Sequence, residues 1–164
     1  VCMYVRGSPG TGKTQLSATV INAWARKLRS KEIVIAAGPS NTATDNLLDR
    51  IAKTAVRDYQ IGRLGEGPTV FDACRSEFSL TKQARMALGP DAKKHSVNKC
   101  IKEAISVRRH HVLFTTYMKS AELIGTNALF ILADEVGQAT EPTTAVLLAN
   151  AIEGAHVMLV GDEH

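Results

Sequence analysis

No apolar run in this 164-residue chain approaches the ~18 residues that a membrane-spanning helix needs, so no membrane partner is expected. The N-terminal stretch VCMYVRGS has no charged region followed by a long apolar one, and so lacks the form of a secretory signal. Cysteine is scarce: Cys2, Cys74 and Cys100 are odd in number and far apart. That excludes a disulfide framework and zinc-ligand spacing, and it fits a reducing compartment with buried or incidental thiols. The five histidines (His95, His110, His111, His156 and His164) show no H-x-x-x-H or related spacing and are expected at the surface or at strand ends. Repeats and low-complexity tracts are absent. What remains is an ordinary globular composition, 45% hydrophobic and 22% charged, long enough for one buried core. Val1 is not an initiator Met, and the chain stops just after an acidic turn, so a segment of a longer protein is expected.

Strand and helix patterns alternate along the chain. Cys2 to Arg6 is a short apolar strand that enters a Gly-rich loop. From Lys13 to about Leu28 there is no Gly or Pro, and Leu16, Val20, Ile21, Trp24 and Leu28 recur at helical spacing. This places Trp24 in the core rather than on a stacking surface. Ile33 to Ala37, Val112 to Thr116, Leu129 to Ala133 and His156 to Val160 are continuous apolar runs, the pattern of parallel strands covered on both faces. Helices are expected after GPSNTATDN to about Ala55, and around Thr143 to Ala151. The fold class is therefore α/β, a parallel sheet flanked by helices.

Residues 66–111 interrupt that rhythm. The stretch is polar, helical in pattern and broken at Gly89 to Asp91, with Val97, Cys100, Ile101, Ala104 and Ile105 on one apolar face. Residues 75–109 hold nine Lys or Arg against three Asp or Glu, a surplus of six, while the whole chain carries only +4. The basic character is thus concentrated in this insertion. It reads either as a solvated helical surface or as an electrostatic footprint for nucleic acid.

Two motifs carry chemistry. GSPGTGKT (Gly7, Ser8, Pro9, Gly10, Thr11, Gly12, Lys13, Thr14) satisfies G-x-x-x-x-G-K-[ST] between a strand and a helix. Its glycines let backbone N–H groups converge on phosphate oxygens, and the helix N-terminus adds partial positive charge. Lys13 then reaches the β- and γ-phosphates, and the Thr14 hydroxyl is a Mg²⁺ ligand. In LFILADEVGQATEP, an apolar strand delivers Asp134 and Glu135 at its carboxyl end, where parallel sheets bind ligands. Asp134 suits Mg²⁺ through water. Glu135, expected on the opposite side, suits polarising a water against the γ-phosphate, which favours hydrolysis over transfer to a small acceptor.

Five stretches in order, GSPGTGKT, GPSNTATDNLL, VLFTTYMKSA, LADEVGQATEP and LVGDEH, resemble consecutive motifs of superfamily 1 helicases. The similarity is to the subgroup of the nonsense-mediated-decay RNA helicase, senataxin and the immunoglobulin-mu-binding helicase, and it spans almost the entire chain. It implies most of the first of two RecA-like domains, with the strand at His156 to Val160 lying between Cys2–Arg6 and Leu129–Ala133. ATP and Mg²⁺ are the implied cofactors, in an intracellular (cytoplasmic or nuclear) setting. It implies that Gln15 lies close to the nucleoside, Gln138 reads the γ-phosphate state, and Gly161 and Asp162 couple nucleotide to strand. It also implies that Pro39, Ser40, Asn41, Thr115 and Thr116 lie along a single strand, RNA favoured and DNA the alternative, with 5′→3′ movement. Plainer readings exist for these polar residues. The first three could simply precede a helix capped by Thr42 or Thr44, and the threonine hydroxyls could bond their own backbone.

The resemblance places a helical subdomain flanking nucleic acid where the basic insertion lies, and it strengthens that footprint. It also implies a second RecA-like domain as partner, with an arginine finger that this chain lacks. The adenine-reading glutamine upstream of the loop and the end of the third motif fall beyond the chain. Val136 replaces a common Ala, a change expected to matter little. Two other functions compete with a translocase. One is an ATP-dependent nucleic-acid scaffold that does not unwind. The other is an unrelated P-loop kinase, disfavoured by PSNTATDN and DEVGQ.

Overall fold

Ile33–Gly38 (β2) is buried at every residue, as expected of a strand covered on both faces. β4 (Val112–Thr116) and β5 (Ala128–Ala133) flank it, both parallel. β6 (Ala151–Gly161) follows β5, β1 (Cys2–Arg6) closes that edge, and β3 (Ile61–Arg63) lies outside β4. The computed structural model describes residues 1–29, 32–54, 60–65, 77–89, 91–107 and 110–162. Within them the sheet order is β1-β6-β5-β2-β4-β3, every pairing parallel. β6 therefore separates β1 from β5, as the helicase resemblance implied and sequence order alone would not.

Successive side chains of a strand face opposite sides, and the core divides accordingly. Val34, Ala36, Phe114, Leu132 and Val160 pack with Ile21 of α1 (Lys13–Ala25) and with Leu47, Leu48 and Ile51 of α2 (Asn41–Thr54). Ile35, Ala37, Leu113 and Ile131 face the other way. There they meet Leu80 and Ala84 of α3 (Leu80–Leu88), Val97 and Ile101 of α4 (Lys94–Ser106), and Leu147 of α5 (Glu141–Leu148). The described part of the insertion is thus one wall of the sheet sandwich, with the expected Val97/Ile101 face turned inward.

Several boundaries and burials differ from the sequence reading. α1 ends at Ala25 rather than near Leu28, and it packs through Ser17, Ala18, Ile21 and Ala25 while Leu16 is exposed. α5 runs Glu141–Leu148, since Pro142 fits the first turn of a helix. Ala151 belongs instead to β6, which extends well before His156. β3 was not expected, because a three-residue strand offers no period to detect. Trp24 stacks on Phe130, which stacks on His156, so the tryptophan does join the core. His110 is buried just before β4, within the strand-end placement expected of the histidines, and Cys2 is exposed. Cys74, His164 and residues 66–76 lie outside the described residues. No helix among the described residues is long and apolar enough to cross a membrane.

Candidate phosphate-binding site

The six strands among the described residues all point the same way, so their carboxyl ends share one edge of the sheet, and the candidate residues cluster at that edge. Between β1 and α1 the chain turns through Gly10 (φ 81°) and Gly12 (φ 88°), conformations that favour glycine. A Cβ on Gly7 would sit 2.8 Å from the Thr11 hydroxyl, so close packing also requires glycine there. The Thr11 hydroxyl donates to the Ser8 carbonyl at 2.8 Å and holds the loop tight. Gly12 is the N-cap of α1 and no side chain caps that helix. Its first N–H groups, with the helix dipole behind them, form an anion site.

Lys13 folds back across this loop. Its ammonium donates to the carbonyls of Gly7 (2.7 Å) and Ser8 (2.8 Å) and pairs with the Asp162 carboxylate at 2.6 Å. Three partners match the three donors of an ammonium group. Thr14, half-buried, stands beside it on the first turn of α1, and Gln15 is exposed. Asp162 follows β6 directly, and the Gly7 N–H donates to the Gly161 carbonyl at 3.4 Å, fastening the loop to that strand.

Asp134 leaves the end of β5 with its N–H bonded to the Ala37 carbonyl at 2.8 Å. Burial pushes its carboxyl up to about 6, and the Glu135 carboxylate adds to the rise. The Glu135 N–H and Lys13 oppose it, and Asp162 reinforces it. Glu135 does not continue the strand alternation on which its opposite placement was reasoned. It adopts φ 53°, the one left-handed non-glycine among the described residues, and caps a 3₁₀ turn over Val136–Gln138. Such backbone costs on the order of 1 kcal/mol and concentrates at functional sites. Gln138 is exposed on that turn.

The expected strand-contacting residues meet beside this site, at the ends of β2 and β4. Ser40, not Thr42 or Thr44, caps α2: its hydroxyl accepts the Ala43 N–H at 3.1 Å. The Thr44 hydroxyl donates to the carbonyls of Ser40 (2.8 Å) and Thr115 (3.1 Å), binding α2 to β4. Thr115 is fully buried and its hydroxyl donates to the Thr116 carbonyl, the plainer reading of that residue. Thr116 and Asn41 instead line a cavity of ≈ 410 Å³ whose far wall is Lys94, Asn98 and Ile101 of α4. Pro39 is half-buried beside them.

Two residues with clear structural roles escaped the sequence reading. Tyr117 is buried; its N–H donates to the Gly38 carbonyl at 3.1 Å and its phenol to the Asp134 carbonyl at 2.6 Å. Burial, then the carboxylates of Asp134 and Glu135, push the phenol well above its ordinary range, so it remains a donor. Arg63 is a buried cation on β3, paired with Asp45 at 2.8 Å. Its signal was a charge set among apolar neighbours in IGRLG.

An uncapped helix N-terminus, a loop lysine and two carboxylates at the parallel-strand ends define a P-loop nucleoside-triphosphatase domain of RecA-like architecture. The chain belongs to the family described as AAA domain, which matches residues 1–164. It is similar to the regulator of nonsense transcripts 1 homolog of Arabidopsis thaliana, 28% identical over 96% of this chain and 14% of that protein. The ATP-dependent helicase upf1 of Schizosaccharomyces pombe is 28% identical over 96% of this chain and 19% of its own length. The DNA polymerase alpha-associated DNA helicase A of the same yeast is 27% identical over 96% and 28%. The superfamily 1 resemblance read from the motifs stands, and the chain spans less than a third of these relatives.

Proposed function

We propose that this domain binds Mg·ATP at Gly7 to Thr14 and hydrolyses it to drive movement along a single strand of RNA, or alternatively DNA. The observation that carries the reading is the convergence of Lys13, Asp134 and Asp162 at an uncapped helix N-terminus. The loop N–H groups and Lys13 hold the phosphates, and Gln15 lies toward the nucleoside. Thr14 and Asp134 offer the hard oxygen donors that Mg²⁺ takes, and the donor set fits that ion. When bound, Mg²⁺ supplies positive charge against the β- and γ-phosphate oxygens. Glu135 orients the attacking water and accepts its proton, and Gln138 and Asp162 report the nucleotide state. Pro39, Ser40, Asn41 and Thr116 contact the strand. A second RecA-like domain completes the site with an arginine.

The test is phosphate release by the full-length protein with and without a single-stranded oligonucleotide, alongside binding of a fluorescent ATP analogue. Glu135→Gln is expected to keep nucleotide binding and to lower turnover by roughly 10²–10⁴. Lys13→Ala is expected to weaken binding itself. Full strand-stimulated turnover by both variants would overturn the reading.

A further inference from the structure

The Arg63 guanidinium is 4% exposed, and each of its three nitrogens donates a hydrogen bond. Nε donates to Asp45 Oδ1 at 2.8 Å, one terminal nitrogen donates to the Leu64 carbonyl, and the other donates to Asn41 Oδ1 at 2.9 Å. An arginine has donors and no acceptor. The Asn41 atom that meets it must therefore be the oxygen, which turns the amide NH₂ the other way. Asn41 lines the cavity shared with Thr116, Lys94 and Asn98. The cavity is rich in donors, and the one carboxylate among its described lining residues, Glu122, is paired with Lys119.

We infer that Arg63 is a positioning residue: it fixes the Asn41 side chain so that its NH₂ donates into this cavity, to a phosphodiester oxygen of the bound strand. The inference rests on the proposed strand binding and deepens it. Arg63 itself touches no ligand. It lies on β3, joins α2 through Asp45 and Asn41, and keeps a mobile amide in the one orientation that suits an anion. A strand phosphate carries only acceptors, so an asparagine turned the other way would present oxygen to oxygen.

The experiment is a double-mutant cycle in the full-length protein. It reads the affinity for a fluorescent single-stranded oligouridine by anisotropy and the fold by thermal melting. Asn41→Ala removes the donor and is expected to weaken binding roughly 5- to 10-fold, the net contribution of an ordinary hydrogen bond, since an open site discounts the larger value of a bond to a charged group. Arg63→Lys keeps the charge beside Asp45, loses the fork that reaches Asn41, and is expected to weaken binding comparably. In the Asn41→Ala background Arg63→Lys should add less than about twofold, because coupled residues are not additive.

If Asn41→Ala binds as wild type, the strand reading at Asn41 falls and the inference falls with it. If Asn41→Ala binds weakly while Arg63→Lys binds normally, or the two effects multiply, the strand reading stands and the inference is overturned. Should Arg63→Lys fail to fold, Asn41→Asp decides. It keeps an inward oxygen for Arg63 and replaces the outward donor with an acceptor, so weak binding at an undiminished melting temperature supports the inference. Wild-type binding by that variant overturns it.

Discussion

The Tyr117 hydroxyl donates to the main-chain carbonyl of Asp134 at 2.6 Å, across from β4 to β5. The same residue's N–H holds Gly38 at the end of β2. One side chain and its backbone thus tie three strand ends together, two that lead into the expected strand contacts and one that carries the acidic pair. Tyr117→Phe removes only the hydroxyl and leaves a buried carbonyl without this donor. The expected loss is about 1–2 kcal/mol of stability, measured by chemical denaturation. Because the carbonyl belongs to Asp134, strand-stimulated turnover should fall more than nucleotide affinity does. Equal losses in both, or neither, would reduce Tyr117 to packing.

Lys13 and Asp162 are the second such pair. With all three ammonium donors occupied by Gly7, Ser8 and Asp162, an incoming phosphate has to displace a partner. The carboxylate is the partner most easily exchanged, since phosphate offers the same charge-assisted bond. Asp162→Asn is expected to tighten Mg·ATP binding by the full-length protein by about 2- to 5-fold, the scale of a partly exposed ion pair. Stimulation by a strand should fall in the same variant if Asp162 reports nucleotide state. Titration with a fluorescent ATP analogue gives the first quantity and phosphate release the second. Weaker nucleotide binding would show that Asp162 holds the loop together instead.

Asp134 sets a pH dependence with a definite sign. Its carboxyl is raised from 3.8 to about 6 by burial and by Glu135. Below the ordinary value both folded and unfolded chains hold the proton, and nothing is lost. As pH rises from about 4 to 6 the unfolded chain ionises first, the folded chain binds more protons, and stability falls; above about 6 the loss is complete. Its full size is on the order of 2–3 kcal/mol. Asp134→Asn should therefore be more stable than wild type at pH 7 in metal-free buffer, with the gain vanishing near pH 4. Urea denaturation at the two pH values measures it, and a gain independent of pH would assign the effect to packing.

How much of this was legible in the sequence depends on how each residue signals its role. The apolar runs of β2, β4 and β5 declare themselves because both sheet faces are covered, and strand-loop-helix order places Lys13 without coordinates. The position of β6 between β1 and β5 came from the helicase resemblance, since long-range strand order leaves no local trace. Glu135 was read as a continuing strand residue, and its left-handed backbone is a tertiary constraint that no spacing encodes. Ser40 was passed over as the cap in favour of two threonines, although serine is the better capping residue of the two types. Arg63 and Tyr117 act through bonds to residues 18 and 17 positions away along the chain, and no motif or period couples such distances.

The basic insertion can now be divided by where its lysines stand. Lys94 lines the cavity with Asn41 and Thr116, at the carboxyl ends of the strands where a ligand is expected. Lys102 lines a different hollow with Ile33 and Asn127, at the opposite ends of β2 and β5. Lys99 is within 4.0 Å of Glu103 on the same helix and faces solvent. A net surplus of charge does not distinguish these three, but counterion release does, because only a cation at a phosphate displaces ions. Lys94→Ala in the full-length protein is expected to make the plot of log affinity against log salt shallower by ~0.7, one phosphate contact on a single strand. Lys99→Ala and Lys102→Ala should leave that slope unchanged. If all three substitutions lower it equally, the strand follows the whole outer face of α4. If none does, that helix is a solvated wall of the sheet and the strand is held by the polar residues of α2 and β4 alone.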